Sequence, residues 1–309
     1  MKITLLINSI NELNSINDCQ TKSEFLAFMI KQYNENITIE KCIPSLEMKS
    51  TFKNPYLNNI KSTDHIIYID DTGLSNANQS FIEYLKTKST SLSTLCSQIK
   101  FYNQEDYLFT YDYLPLYSNF YKIKSLVDPS VYMPNKDQSS IYILLDKFPE
   151  SMSFPENCKI GIISHEKIKF IYPQKETIKF KAYVDYIHEI SKANAFVIFN
   201  SIDDVYFLYE LAMCNTIPII KYRSLSQKII KKLKLTLFDT QINWDILNNP
   251  YNVRDYLIQH NYTLKNTMKT IMNNIKPMRS LSQQNNSFQT VGYCLNIKNK
   301  IKPTIIEFK

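Results

Sequence analysis

The chain has 309 residues, 44% of them hydrophobic and 13% aromatic, and its 36 basic and 29 acidic side chains leave a net charge of +7. That length exceeds what a single core readily supports, so two domains of about 150 residues each are expected. No apolar run approaches the roughly 18 residues that cross a bilayer, and the apolar patch in MKITLLINSI is too short, and lacks the cleavage site, for a secretory leader, so a cytoplasmic location is expected.

In chain order, residues 3–8 form an apolar run that ends in polar residues and predict a buried strand. Thr21-Lys22-Ser23-Glu24 has the capping-box pattern, and Leu26, Met29, Ile30 and Tyr33 follow at helical spacing. A strand over 37–43 completes a β-α-β opening, which predicts a parallel sheet with a right-handed crossover. Residues 65–70 (HIIYID) and 107–110 (YLFT) read as further strands, and 81–85 as the start of a helix. Residues 129–139 carry two prolines and no periodicity, and the interdomain linker is placed there.

A second series follows, with strands over 141–145, 159–164 and 168–172 and a helix over 183–192 that turns Tyr183, Ile187 and Ile190 inward. Strand 195–199, helix 205–214, strand 217–221 and helix 225–233 complete it. Residues 244–274 look helical, and the polar tail beyond Arg279 ends in a strand-like 304–308. The chain thus divides into residues 1–134, residues 138–280 and a tail, 281–309.

Composition narrows the chemistry. The six cysteines, Cys19, Cys42, Cys96, Cys158, Cys214 and Cys294, form no CxxC pair and no metal-ligand spacing with histidine, so reduced, buried thiols are expected and no metal. The densest basic run, KIIKKLK over 228–234, alternates with apolar residues as a solvated helix face does; an anionic ligand or nucleic acid is the other reading. His65, His165, His188 and His260 are isolated, and His165, just past a strand, is a candidate for facing a cleft. Only Gly73, Gly161 and Gly292 are glycines, so glycine-based motifs are expected in disguise.

Chemistry concentrates in 195–220, AFVIFNSIDDVYFLYELAMCNTIPII. A strand ends at Asn200-Ser201, an acidic loop with Asp203 and Asp204 follows, and a helix begins. In open α/β sheets ligands gather at the carboxyl ends of strands, where helix N-termini offer free N–H groups to anions. Glu210, two turns into the helix, could accept both hydroxyls of a ribose. The same residues also read as ordinary helix caps and a solvated glutamate.

Residues 210–220, ELAMCNTIPII, resemble the E-A-hydrophobic-x-x-G-x-I-P-I-I signature of GT-B-fold glycosyltransferases of group 1. The stretch from Tyr183 to Val197 resembles their Y-x-x-hydrophobic-x-x-S-x-A element. Upstream, DYLFTYD over 106–112 and VDPSVYMP over 127–134 resemble their D-hydrophobic-hydrophobic-F-T strand and V-D-P-x-x-Y/F-x-P hinge, a pairing similar to the spore-maturation-protein-like branch. The resemblance implies two Rossmann-like domains facing an interdomain cleft. It implies a retaining transfer of sugar from a nucleoside diphosphate sugar to an unidentified acceptor, without a metal. Glu210 would bind the donor ribose, with Asn200, Ser201, Lys147 and His165 around the donor and Asp203 or Asp204 as catalytic candidates. The chain departs from the pattern where Asn215 replaces the signature glycine and Ile202 the usual acidic residue.

Two other readings compete. Asp70-Asp71-Thr72 after an apolar strand has the form of a metal-binding carboxylate pair, or of a turn closed by Gly73. A catalytically degenerate GT-B-like binding or scaffold protein is the non-enzymatic alternative. Only three arginines, Arg223, Arg254 and Arg279, stand among the basic residues, which argues against specific base reading.

Overall fold

Strand β1 (Ile3–Asn8) starts the first sheet. Its consecutive Leu5, Leu6 and Ile7 are all fully buried, as in a strand covered on both faces. In this computed structural model the described residues are 1–9, 11–42, 60–70, 85–96, 107–110, 120–135, 138, 140–144, 155, 159–164, 167–172, 177–178, 181–199, 205–221, 227–239, 241–278, 292–294 and 304–306. The fold is mixed α/β with parallel sheets, and the chain separates into two compact units. Residues 1–14, 22–122 and 270–309 form the first, and 15–21 with 123–269 form the second.

Helix α1 (Lys22–Lys31) follows β1 and leads to β2 (Ile37–Cys42), which pairs with β1 in parallel as the opening pattern predicts. Strands β3 (Thr63–Asp70), β4 (Ser89–Cys96), β5 (Tyr107–Thr110) and β6 (Phe120–Lys122) extend a sheet of order β2-β1-β3-β4-β5-β6. Every pair in it is parallel. The chain reverses its direction of travel across the sheet between β1 and β3.

Strand β4, STSLSTLC, was not expected from its sequence. Its Ser89, Ser91 and Ser93 are fully buried. Register places His65 opposite Ser91, and the imidazole holds both hydroxyls, Nδ1 at 2.5 Å from Ser91 Oγ and Nε2 at 2.9 Å from Ser93 Oγ. The Tyr107 hydroxyl donates to the Lys276 carbonyl (3.1 Å) and accepts the Lys276 N–H (3.0 Å), while Met278 N–H donates to Thr90 O at 2.9 Å. The stretch after the last long helix is thereby fastened to β4 and β5.

The second unit carries β7 (Ser140–Leu144), β8 (Lys159–Ser164), β9 (Lys167–Tyr172), β10 (Thr177–Ile178), β11 (Ala193–Ile198), β12 (Ile217–Lys221) and β13 (Thr236–Phe238). Their order is β10-β9-β8-β7-β11-β12-β13. Strands β8, β7, β11, β12 and β13 run parallel, while β9 and β10 join as an antiparallel meander. Only two residues separate β8 from β9, too few for a parallel crossover. The chain moves outward from β7 on one side and returns to its other flank at β11, so β7 and β11 bound the switch in strand order.

One face of this sheet, Ile141, Ile143, Ala195, Val197, Ile217, Ile219 and Phe238, is covered by Trp244, Ile246, Leu247 and Tyr251. On the opposite face Phe196 meets Phe207 edge-on at 5.1 Å and Tyr142 at 6.2 Å. Helices α2 (Tyr183–Ser191), α3 (Val205–Met213) and α4 (Gln227–Leu233) lie close to the predicted positions. The helical stretch 244–274 is three pieces, a 3-10 helix (Trp244–Asn248), α5 (Arg254–Gln259) and α6 (Leu264–Asn274). Pro250 accounts for the first break, since the residue before proline avoids helical backbone. The tail strands β14 (Gly292–Cys294) and β15 (Thr304–Ile306) pair antiparallel. No described helix is long and apolar enough to cross a membrane.

The shortage of glycine is met by other residues at positive φ, namely Asn215 (55°), Lys234 (47°) and Asn261 (59°). Asn215 closes α3 in a Schellman motif, with Thr216 N–H on Leu211 O (2.9 Å) and Asn215 N–H on Ala212 O (3.2 Å). Its side chain adds a bond that glycine cannot make, accepting the Arg254 N–H at 3.2 Å. Asn215→Ala is expected to cost about 1–2 kcal/mol, from left-handed strain plus the lost bond. Asn215→Gly should cost less, and the urea midpoints of the two variants give the comparison.

Candidate functional site

The turn that holds Tyr132 forms because Asp128 Oδ1 accepts Ser130 N–H (2.9 Å) and Ser130 Oγ–H (2.6 Å), with Pro129 fixing the backbone between them. Val131 and Tyr132 N–H then close on Asp128 O. Within a stretch expected to be a linker, the turn drives Tyr132 into a fully buried position. Tyr183 opens α2, where its N–H donates to Cys19 O at 2.6 Å and Asp185 accepts the Ala182 N–H at 3.0 Å. Tyr206 and Glu210 are one turn apart on α3 and share a face.

These four side chains meet. Glu210 is 2% exposed, so it is not the solvated glutamate of the plainer reading. Its Oε1 accepts the hydroxyls of Tyr132 (2.7 Å) and Tyr183 (2.8 Å). Tyr132 has one proton and gives it to Glu210, so the 2.9 Å contact between Tyr132 and Tyr206 is a bond donated by Tyr206. Burial first, and then the Glu210 charge, push the Tyr132 and Tyr183 phenols well above their ordinary range and keep them as donors. Three segments that resemble the glycosyltransferase signatures therefore converge on a single carboxylate.

Arg254, at the start of α5, binds this cluster from behind. Its guanidinium donates to the carbonyls of Tyr132, Met213 (2.7 Å) and Pro129 (2.7 Å), joining the Tyr132 turn to the C-terminus of α3. A cation at that helix end also complements the helix dipole. Gln138 adds a second tie, its amide donating to Ser191 O (3.1 Å) and Cys214 O (2.8 Å) at the ends of α2 and α3. Nothing in the sequence singled out Arg254 or Gln138, whose partners are distant backbone carbonyls.

Of the other sequence candidates, Asn200, Ser201, Asp203, Asp204, Lys147 and His165 lie outside the described residues, as do residues 71–84 with Asp71, Thr72 and Gly73. Lys147 follows β7 in the chain and the acidic loop follows β11, so both belong to the connections that leave the switch-point strands. Cys19 and Cys214 are buried and form no disulfide. Among the described residues no group of three histidine, cysteine or acidic side chains is placed to hold a metal.

The first unit also holds a buried carboxylate. Glu24, expected as a capping-box residue, is 1% exposed, and its Oε1 accepts the Ser9 hydroxyl and the Asn11 amide (3.0 Å). Asn11 N–H donates to Ser9 Oγ at 3.0 Å. This polar knot lies just past the carboxyl end of β1. Sequence reading missed it because Ser9 and Asn11 belong to no pattern.

No family model and no curated protein matches the chain. Among solved structures it is similar to the E. coli heptosyltransferase WaaC with ADP, with 11% identity over 89% of this chain and 100% of that one, at a TM-score of 0.37. A superposition that loose leaves the functional reading to the residues of this chain.

Proposed function

We propose that the chain is a glycosyltransferase that takes its sugar from a nucleoside diphosphate sugar bound by the second unit. The supporting observation is the convergence of Tyr132, Tyr183 and Glu210, one from each of three signature-like segments, on one buried carboxylate. The strand order adds to it, because a switch between β7 and β11 is where open α/β sheets hold nucleotides.

In this reading the connection after β7 brings Lys147 to the diphosphate, and Asn200 and Ser201 after β11 contact the donor. Asp203 or Asp204 takes the place of the family's missing acidic residue, and His165 completes the donor side. Transfer passes through an oxocarbenium-like state while charge builds on the departing diphosphate. A lysine and backbone amides at a helix start stabilise that charge by a few kcal/mol for each well-placed donor. A retaining course, with a donor phosphate oxygen as local base and no metal, belongs to the same proposal. The ribose reaches Glu210 by exchanging with a tyrosine hydroxyl, and the partly buried Tyr183 is the nearer to solvent of the two on Oε1.

One observation favours a second reading. Glu210 already accepts two tyrosine hydroxyls, an arrangement that serves a structural carboxylate in a degenerate, scaffold-type protein equally well. A thermal-shift screen with UDP-, GDP- and dTDP-sugars, on the native chain and on Glu210→Gln, separates the two. The glutamine oxygen still accepts from tyrosine, so the variant keeps its fold. Under the first reading one nucleotide class stabilises the native chain, by about 2.7 kcal/mol at a hundredfold excess over Kd. The variant then binds at least about tenfold more weakly, as expected when hydrogen bonds to a charged group are lost. A flat response to all three donors leaves the scaffold reading.

A further inference from the structure

The basic run over 228–234 reads in sequence as a solvated helix face, and Lys228 and Lys231 on α4 are indeed exposed. Lys232 is not. Its Nζ lies 4.6 Å from the centre of the Tyr262 ring and donates to the Tyr209 hydroxyl at 3.4 Å. Lys124, more than a hundred residues earlier, places its own Nζ 5.4 Å from the centre of the same ring and donates to His260 O at 3.0 Å. Lys228 stands one helical turn before Lys232 and shares its face. Two ammonium groups over one ring, with a third beside them, form a concentrated positive field.

Among the described residues no acidic side chain forms an ion pair with Lys124, Lys228 or Lys232. The ion pair of Lys192 with Glu189 lies elsewhere in the unit. Burial, followed by the charges of Lys228 and Lys124, lowers the Lys232 pKa, as expected where like charges gather without a counter-ion. The tyrosine rings reduce the cost through cation–π attraction but carry no net charge.

We infer that Lys124 and Lys232 over the Tyr262 ring, with Lys228 one helical turn from Lys232, form a binding site for a phosphate group on the second unit. A tetrahedral, multiply charged anion can accept from three separate ammonium groups at once, whereas a planar carboxylate is better matched by an arginine fork. The aromatic surroundings decide against single-stranded nucleic acid. Tyr262 is stacked on Tyr209 at 6.0 Å and has two lysines over it, so the ring at the centre of the cluster is engaged by protein groups instead of standing open to bases. The site uses none of the residues assigned to the donor.

Isothermal titration with inorganic pyrophosphate, and co-sedimentation with phosphatidylglycerol or phosphatidylcholine vesicles, test the inference on the full chain. Lys124→Gln and Lys232→Gln are compared with Lys231→Gln, an exposed lysine on the same helix, after circular dichroism has shown each variant folded. Pyrophosphate affinity that drops on the order of tenfold in the first two variants and holds in the third establishes a free-phosphate site. The same pattern seen only with phosphatidylglycerol vesicles assigns the phosphate to a lipid headgroup. Equal weakening in all three variants, pyrophosphate binding indifferent to the lysines, or binding to neither probe overturns the inference. Glu210→Gln, which removes donor binding under the proposed function, leaves this titration unchanged, so the two ideas fail separately.

Discussion

Above pH 10 the second unit is expected to unfold steeply, within about two pH units. Tyr132, Tyr142, Tyr183, Tyr209 and Tyr251 all belong to this unit, and all have phenols raised above the ordinary value of 10.0. Burial is the first cause in every case. Glu210 adds to it for Tyr132 and Tyr183, and Glu189 for Tyr142, whose hydroxyl donates to that carboxylate at 3.1 Å.

The sign follows from linkage. An unfolded tyrosine ionises near pH 10 while the folded one holds its proton, so the contribution is intact below pH 10 and is lost as the pH climbs. Each such group removes about 1.4 kcal/mol of stability per pH unit, and together they remove about 7, comparable with the whole stability of a typical domain. Circular dichroism and phenolate absorbance, followed together against pH, check it. Phenolate from these residues should appear with the loss of structure. A smooth titration of every tyrosine near pH 10, with the fold intact, would refute the expectation.

Arg254→Met is expected to cost about 3 kcal/mol or more, the largest effect of any single substitution considered. Three backbone carbonyls, on Pro129, Tyr132 and Met213, share this one guanidinium, and methionine returns none of their bonds. The loss should spread to the tyrosine cluster, because the Tyr132 turn is what Arg254 holds against α3. Arg254→Lys should recover only part of it, since a single ammonium group does not reproduce the planar fork. Equilibrium urea unfolding measures both. A cost below about 1 kcal/mol would mean that water satisfies the carbonyls instead.

Hydrophobic runs made most of the fold legible. Strand β1, helix α1, the strands of the β7, β11 and β12 series and helix α3 follow directly from apolar periodicity, because their burial is decided by their own side chains. Strand β4 was illegible for the opposite reason. Its serines are buried only because His65, 26 and 28 residues away, takes two of their hydroxyls, and Ser89 finds Leu85 O at 3.1 Å. A local pattern cannot display a partner that the register supplies.

The site divides the same way. Glu210 stood out by motif and position, yet its tyrosine partners were unreadable. Tyr132 occupies a proline-bracketed turn with no sign of burial, and nothing in the spacing of Tyr183 and Tyr206 announces a shared carboxylate. Asn215 shows how a departure from a motif can preserve its geometry, for the left-handed backbone is kept and the extra amide is put to use on Arg254.

The passage of residues 15–21 into the second unit, and of 270–309 into the first, bears on how the chain can be synthesised. Most proteins of this size complete an N-terminal module while the ribosome is still translating the next one. Here the first unit's fastening on β4 and β5, through Lys276 and Met278, emerges only after the whole of the second unit. The second unit in turn includes residues 15–21, which are made before most of the first. Nascent chains arrested at residue 122 are therefore expected to remain protease-sensitive, with protection of the first unit appearing only in chains extended past residue 278.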